Sequence, residues 1–395
     1  MRKALAAIIL TVTMIGLAAV PASASSTAVD CSSDPGALQP AIDAARSGSQ
    51  LALIGTCVGN FVIAKNLTLR SSPGTSAALS TLALPGATLT VTAGVVVLKN
   101  LVVTNALCWE ANPYDCWSSG IRNLGTLTLQ KVTVTSIADA PIWNSGTLTM
   151  LRSNVSDNGV DPDSYAIYSS GEASITESTI SDNSGGGIYN TGHMTIDATT
   201  ISGNVSDDEG GGIHNQSSGS LLITRSTITG NDSDNFVGGG IANRGALDVV
   251  SSTIANNIGD DDDSIHNDGT MTLTATIVWN ARGIECDFDS TSPIGSGGYN
   301  VIGSVDGCQL VPRSTDLVGH ATGRVDPRLG SFGPHGGPTA TFPLKLVSPA
   351  LNAIPVGALA TDGTPLCPAT GSTDQRGKPR PQGGACDIGA YETKF

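Results

Sequence analysis

The feature that most constrains this chain is a short internal repeat. Isoleucines recur at steps of 21, 25, 21, 25, 28 and 24 residues, at positions 121, 142, 167, 188, 213, 241 and 265. Most units continue with Asn two positions later, then Gly, then a short stretch of alternating apolar and polar residues. Alternation with a period of two is typical of β-strands. Such units must stack on one another to bury their apolar faces, so the repeat predicts a solenoid.

Asparagines at two positions of the repeat indicate which kind of solenoid forms. One set is Asn123, Asn144, Asn190, Asn215, Asn243 and Asn267, with Ser169 as the exception; the other is Asn158, Asn183, Asn204, Asn231, Asn257 and Asn280. Stacked amides can hydrogen-bond from coil to coil along the axis. We therefore predict an all-β fold, a right-handed parallel β-helix whose narrow interior holds small aliphatic side chains. The low content of aromatic residues, 4% of the chain, agrees with this interior.

The two ends of the stack need covers, because each would expose an apolar layer. Leu38, Ile42 and Ala45 share one face of a predicted cap helix after Asp34-Pro35. A Gly-Gly-Pro run at 336–338 predicts an irregular join to a C-terminal segment. The predicted organisation is a signal peptide over 1–24, an N-terminal cap and β-helix over 25–330, and a small C-terminal capping module over 331–395.

The first 24 residues are typical of an export signal. Arg2 and Lys3 precede an apolar run over 4–20, and Ala22-Ser23-Ala24 matches the small-x-small pattern of a cleavage site. The run is shorter than the roughly 20 residues of a membrane span. We therefore expect a secreted, extracellular protein without a membrane span.

Acidic residues exceed basic ones, 34 Asp plus Glu against 20 Lys plus Arg. This sign disfavours nucleic acid and anionic membrane surfaces as partners. A solvated acidic surface would also oppose self-association, and we expect a monomer.

The eight cysteines fall into four close pairs, the pattern of local disulfides in an oxidising compartment. Nearest-neighbour pairing would join Cys31–Cys57, Cys108–Cys116, Cys286–Cys308 and Cys367–Cys386. Eight cysteines allow many other connectivities, so spacing alone does not establish this pairing. Zinc ligation is the alternative, although no tight Cys-x-x-Cys pair or suitably spaced histidine is present.

Two parts of the chain resemble known families. Residues 66–70, Asn-Leu-Thr-Leu-Arg, and the later Gly-Gly-Gly-Ile-x-Asn units are similar to right-handed β-helix repeat proteins of the pectate-lyase-like superfamily. The motifs at 348–353, 374–381 and 386–392 resemble the choice-of-anchor Q module. The resemblance implies an exported protein, in some members anchored after this module, and leaves the activity largely undefined.

The middle residue of each Ile-x-Asn triplet should point outward and form one column on the outer face. Its members are Arg122, Trp143, Tyr168, Tyr189, His214, Ala242 and His266. Rings in such a column can stack on sugars, so we predict that Trp143, Tyr168, Tyr189, His214 and His266 bind a polysaccharide or cell-surface glycan. Alternatively, the rings shield the backbone and pair only with their neighbours.

Acidic loops follow the second Asn position in successive units. They contain Asp161 and Asp163, then Asp207-Asp208-Glu209, then Asp232 and Asp234, and finally Asp260 to Asp263. Carboxylates at this density suit Ca²⁺, with Asp207, Asp208, Asp232, Asp234, Asp260 and Asp261 as predicted ligands. A solvated acidic edge is the alternative, and no other cofactor is required.

Two classes of function remain open. The favoured one is a non-catalytic surface or carbohydrate-binding protein. The alternative is a polysaccharide-degrading enzyme, with Arg225 or Arg244 as the base of a lyase, or Asp207, Asp208 and Asp232 as the acids of a hydrolase. Neither catalytic set is distinguished from the general acidic edge by the sequence.

Overall fold

The structure is a computed structural model and describes residues 26–82, 86–106, 119–159, 164–234, 236–260, 263–281, 283–287 and 289–394. The predicted signal peptide, the Cys108–Cys116 pair, and Asp161, Asp163, Asp261 and Asp262 lie outside these ranges.

The described chain winds through three parallel sheets, and successive strands of each sheet come from successive coils. The first sheet contains Thr27–Asp30, Ser49–Ile54, Leu67–Ser71, Val95–Lys99, Thr126–Gln130, Thr147–Leu151, Glu172–Thr176, His193–Asp197, Ser220–Thr224, Ala246–Val250, Thr270–Thr274 and Ile294–Gly298. The second sheet contains Thr56–Val58, Ala77–Ser80, Leu101–Ala106, Thr133–Ile137, Asn154–Ser156, Thr179–Ser181, Thr200–Ser202, Thr227–Thr229, Thr253–Ala255, Ile277–Trp279, Val301–Ile302 and Leu317–Val318.

The third sheet carries the Ile-x-Asn triplets. Its strands are Phe61–Ile63, Leu89–Val91, Ile121–Asn123, Ile142–Asn144, Ile167–Ser169, Ile188–Asn190, Ile213–Asn215, Ile241–Asn243, Asp263–Asn267 and Ile284–Cys286. Two small antiparallel pairs follow in the C-terminal segment, Ile354–Pro355 with Ala385–Cys386 and Ser372–Thr373 with Pro379–Arg380. The predicted all-β parallel solenoid is confirmed.

Exact register between coils explains the alternating pattern. Leu127 pairs with Leu148, and Leu129 with Met150, on adjacent strands of the first sheet. All four side chains are buried in one continuous apolar core. The residues between them face outward, as the period of two predicts.

Both predicted asparagine ladders are present. In the third sheet, the Asn123 side-chain amide donates to Asn144 Oδ1 at 2.8 Å, and Asn144 donates to the Ser169 hydroxyl at 3.0 Å. In the second ladder, Asn183 donates to Asn204 and Asn204 to Asn231, each at 2.8 Å. Serine at position 169 therefore replaces asparagine as the acceptor of the Asn144 amide.

A third ladder, of hydroxyl groups, was not predicted. It lies at the corner between the first and second sheets, where buried hydroxyl oxygens accept main-chain N–H groups of neighbouring coils. Ser153 accepts from Val132 at 3.1 Å, and Ser178 accepts from Ser153 at 3.1 Å. The residue before each hydroxyl has positive φ, for example 49° at Arg152. This regular corner escaped prediction because Ser and Thr are common throughout the chain.

Glycine is required at the corner between the third and first sheets. A Cβ at Gly146 would lie 2.1 Å from the carbonyl oxygen of Gly125, one coil away. The same close approach recurs at Gly171, 2.1 Å from the Gly146 carbonyl oxygen. Stacked corners therefore leave no space for a side chain there.

The predicted N-terminal helix spans Leu38–Ala44 and buries Leu38 and Ile42 in the core. Lys65 reaches it from the first coils and donates to the carbonyl oxygens of Ile42 at 3.1 Å and Ala45 at 3.0 Å. These bonds satisfy carbonyl groups that a helix end leaves without partners.

The C-terminal segment does not sit where we predicted. Instead of only closing the end of the stack, it runs along the outer face of the second sheet. The Gln375 side chain bonds Thr200 at 3.0 Å and Thr227 at 2.6 Å, and the Gly389 N–H donates to Ala275 at 2.9 Å. Ile277 of the solenoid and Ile388 of the segment share one apolar cluster. The segment is therefore packed against the β-helix and does not have a separate core.

Four polar residues in the resembling motifs of this segment form buried pairs. Arg376 contacts Asp374 at 2.6 Å, and Arg380 contacts Glu392 at 3.0 Å.

The Cys31–Cys57, Cys286–Cys308 and Cys367–Cys386 disulfides are present as predicted. Among the residues that the structure describes, no helix has the length and apolar character needed to cross a membrane.

Asn215→Ala should lower the free energy of unfolding by roughly 1 to 3 kcal/mol, because Asn190 and Asn243 each lose a buried hydrogen-bond partner. Urea denaturation measures this loss. Ser217→Ala, at an exposed position two residues away, is the control and should change little. Equal stabilities for the two variants would contradict the ladder's contribution.

Gly389→Ala should also destabilise the chain, by about 1 to 3 kcal/mol, since φ is +96° and a Cβ would lie 2.7 Å from Ile277 Cδ1. The matched control is Gly384→Ala, where nothing lies within 4 Å of the added methyl. Limited proteolysis of the C-terminal segment, followed beside thermal melting, should show faster cleavage for Gly389→Ala alone. Identical cleavage of both variants would argue against the lateral packing.

Candidate functional site

The middle residues of the triplets form the predicted column on the outer face of the third sheet. Arg122, Trp143, Tyr168, Tyr189, His214, Ala242 and His266 pair in register, each on the next strand. Three of these side chains form a ring stack. The Trp143 and Tyr168 rings lie 5.2 Å apart with an interplanar angle of 21°, and Tyr168 and Tyr189 lie 5.1 Å apart. We call Trp143, Tyr168 and Tyr189 the aromatic column.

A cleft of about 650 Å³ lies over the start of the aromatic column. Arg122, Asp139, Trp143, Ser164 and Tyr168 are among the residues that line it. Trp143 is 44% exposed, a large fraction for an indole ring in a folded chain. The cleft thus combines an accessible apolar ring with a cation and a carboxylate.

Asp139 was missed by the sequence analysis. It lies just before the triplet Ile142–Asn144, in the connection from the second sheet to the third sheet. The acidic loops lie in the same connection of later coils, and this shared position was the signal that could have indicated Asp139. Burial, with the nearby charges of Asp139 and Asp208, raises the pKa of Tyr168 to about 12. Tyr168 therefore keeps its phenol proton at physiological pH and can act as a hydrogen-bond donor.

His214 lies in the column but not on the surface. It is 1% exposed, so our prediction that it offers a platform to sugars is wrong. Tyr165 covers it, with its hydroxyl 3.4 Å from His214 Nδ1, and Gln216 contacts Nε2 at 2.9 Å. Burial lowers the pKa of His214 to about 4, so the ring is neutral at physiological pH.

Glu209 is a second part of this cover. Its main-chain carbonyl accepts the Tyr165 hydroxyl, and its Oε1 accepts from Arg244 at 2.6 Å. Its Oε2 lies 3.6 Å from His214 Nε2 and has no hydrogen-bond partner among the described residues. Burial raises the pKa of Glu209, although Arg244 opposes this shift.

His266 is also buried, at 6% exposure, which corrects its predicted role as a stacking platform. Its Nδ1 lies 2.6 Å from Asp287 and its Nε2 3.0 Å from Asp268. Burial lowers the pKa of His266, but the hydrogen bonds to Asp268 and Asp287 outweigh burial and raise it overall. This histidine is held between carboxylates and cannot reach a ligand on the surface.

The predicted calcium ligands that the structure describes lie on one edge, between the second and third sheets. Asp207, Asp234 and Asp260 are exposed, whereas Asp232 pairs with Val205 and Ile258 in a short ladder of single bridges. Within the described ranges, no group of three or more His, Cys, Asp or Glu side chains could hold a metal ion. Calcium stays a prediction that depends on the loop with Asp261, which lies outside those ranges.

The predicted lyase bases do not face an open acidic site. Arg225 bonds Asp197 and Thr373, at the corner where the C-terminal segment crosses, and not the acidic loops. Arg244 is paired with Glu209. Among the predicted hydrolase acids, Asp208 contacts a member of the outward column, with its Oδ2 3.8 Å from His214 Nδ1.

Asp263 is a buried carboxyl beside this cluster. Its Oδ2 accepts the Gly238 N–H at 2.8 Å, and its Oδ1 has no partner among the described residues. Burial raises the pKa of Asp263 to about 7. The carboxyl therefore gains or loses its proton near neutral pH.

Asp263→Asn should remove one source of pH dependence. Because the folded chain holds this proton up to about pH 7, wild-type stability falls relative to the variant as the pH rises from about 4 to 7. His214 acts in the opposite direction over most of this window, because its pKa is lowered from 6.5 to about 4. Both proteins contain His214, so the difference between them removes its contribution. Urea melts at several pH values measure that difference, with exposed Asp248→Asn as the control. A difference that is constant with pH would refute the assignment.

Comparisons with known proteins agree with this architecture. Residues 114–302 match a family described as "Right handed beta helix region". The crystal structure of pectate lyase Pel9A is similar to this chain with a TM-score of 0.56 and 15% sequence identity, over 90% of both chains. No curated protein matches the chain significantly. At this level of identity the likeness concerns the fold alone, and with the observed coils it shows that the chain folds as a right-handed parallel β-helix.

Proposed function

We propose that this chain is an exported protein that binds a polysaccharide, without cleaving it, along the aromatic column. The observation that carries the proposal is the ring stack itself. Its rings follow one another at 5.2 and 5.1 Å, with Trp143 accessible in the cleft. A sugar ring in the cleft can pack on the accessible part of Trp143, because aromatic faces attract the apolar C–H faces of sugars. Tyr168, stacked on Trp143, and Tyr189, tilted by 43° from Tyr168, continue the row along the path of an extended chain.

The charges of the site favour a neutral ligand. Asp139 lines the cleft. Burial is the main reason that the pKa of Tyr168 is raised, and the nearby charge of Asp208 adds to this shift. Both carboxylates would repel uronate or sulfate groups and accept hydrogen bonds from sugar hydroxyls. Arg122 is the cation of the cleft, at the end away from Asp208. Neutral glucans, xylans or mannans, including those of cell surfaces, are the ligands we propose.

A polysaccharide-degrading enzyme is the second candidate. One observation favours it: Asp139 and Asp208 both lie near Tyr168, and glycoside hydrolases use two carboxylates. The binding role has more support, because Arg225 is bonded to the C-terminal segment and Arg244 to Glu209. The remaining predicted acids, Asp207 and Asp232, belong to the acidic edge.

Export is supported by the three disulfides of the described chain, which are typical of oxidising compartments. We extend the proposal to residues 331–395 as a choice-of-anchor Q-like module. Support comes from its motif residues, since Asp374, Arg376, Arg380 and Glu392 form one compact set of buried ion pairs.

Trp143→Ala should weaken retention on a neutral polysaccharide about fivefold or more, because it removes a stacking platform worth of order 1 kcal/mol or more. Tyr189→Ala should act in the same direction. Affinity electrophoresis in gels containing glucan, xylan or mannan measures retention, and release of reducing ends or unsaturated products is recorded in parallel.

Phe236→Ala is the matched control, since this ring is 43% exposed but lies on the acidic edge. Its retention should equal that of the wild type. Equal loss in all three variants, or none in any, would count against the aromatic column. Product release by the wild type would favour the enzyme instead.

A further inference from the structure

The exposure of the outward column decreases from Trp143 to Tyr168 and Tyr189, and the column is fully buried from His214 onward. Trp143 is 44% exposed and Tyr189 is partly exposed, whereas His214, on the next strand, is 1% exposed. Ala242 and His266, further along, are also buried. A ligand that follows the aromatic column therefore meets a barrier immediately after Tyr189.

The barrier is built of fixed groups. Tyr165 is 1% exposed, and its ring lies 5.4 Å from that of Tyr189 and 6.2 Å from that of His214. Its hydroxyl is bonded to the Glu209 carbonyl, and the Glu209 carboxylate is tied to Arg244 at 2.6 Å. A buried aromatic ring with its polar tip bonded does not move aside without breaking these contacts.

The other end of the column lacks such a cover among the described residues. Arg122 is exposed on the strand before Trp143, and Val62, two strands earlier in the same register, is 46% exposed. The cleft therefore has one closed end, after Tyr189. At the other end, the described residues leave the column accessible.

Asp208 lies beside the closed end. Its side chain is 45% exposed and its Oδ2 is 3.8 Å from His214 Nδ1, while Oδ1 accepts the Glu209 N–H at 2.8 Å. A carboxylate accepts two hydroxyl donors well, and the last sugar of a chain has a free hydroxyl where an internal sugar has a glycosidic bond. The charge of Asp208 also opposes an anionic terminal sugar.

We infer that the site binds the end of a neutral polysaccharide chain, with the last sugar on Tyr189 and its hydroxyls donating to Asp208. This inference rests on the proposed function and adds that internal stretches of the chain are not recognised. The barrier of Tyr165 and Glu209 selects the end, and the aromatic column holds the sugars that precede it.

The test counts binding sites on one neutral polymer before and after partial fragmentation. At constant mass of polysaccharide, the number of sites in isothermal titration should rise in proportion to the number of chain ends. Short linear oligosaccharides of the same polymer should bind with one site per molecule. An unchanged number of sites would overturn end recognition but leave binding along the column intact.

Asp208→Asn provides the second measurement. The asparagine Oδ1 can still accept the Glu209 N–H, so the loop keeps its local bond, but the charge is lost. Affinity for the oligosaccharide should fall about tenfold or more. Asp207→Asn, at the exposed neighbouring position, is the control and should bind as the wild type does.

The outcomes separate the two proposals. Three results together support both proposals. Trp143→Ala loses binding, the number of binding sites rises with the number of chain ends, and Asp208→Asn binds more weakly than Asp207→Asn. Loss in Trp143→Ala with normal binding by Asp208→Asn overturns the terminal role of Asp208 alone. Absence of binding to any polymer or oligosaccharide of the glucan, xylan and mannan series overturns both.

Discussion

The in-register hydrogen bond from one coil to the next is the interaction on which the rest of this structure depends. Main-chain bonds of three parallel sheets run along the axis, and the asparagine ladders add side-chain bonds in the same direction, at 2.8 Å from Asn204 to Asn231. Each coil therefore supplies the hydrogen-bond partners of its neighbours. Burying a side-chain amide lowers stability only when a neighbouring residue is changed and the amide loses its partner. This mutual dependence fixes isoleucine in the strands of the third sheet and asparagine and glycine near the corners.

The same stacking aligns whatever the coils carry on their outer faces. Because the triplets are in register, one substitution per coil is enough to build the row Trp143, Tyr168 and Tyr189. The lengths of the connections vary mainly between the second and third sheets, as from Ser202 to Ile213, while those between the first and second stay short. Variable loops therefore border the outer column on one edge, and they decide which of its members a ligand can reach.

The C-terminal segment shows a different use of an outer face. Thr200, Thr227 and Thr253 form a row on the second sheet, and Gln375 and Ala390 bond to it. The segment thereby removes part of that face from solvent, on the side of the coil where Arg225 joins Asp197 and Thr373. The third sheet remains the face with both an aromatic row and a cleft.

The sequence by itself determined the coil, because a period of two, a 24-residue mean step and the asparagine positions are local signals that most units repeat. It also placed His214 and His266 in the column, but it could not show that Tyr165, Glu209 and the neighbouring loops cover them. Its signal for Asp139 was only the position of that residue in the connection between the second and third sheets, and it predicted the C-terminal segment at the end of the stack and not along the second sheet. Burial, cleft formation and lateral packing were decided by tertiary structure, since they depend on contacts between residues such as Thr227 and Gln375, which are 148 positions apart.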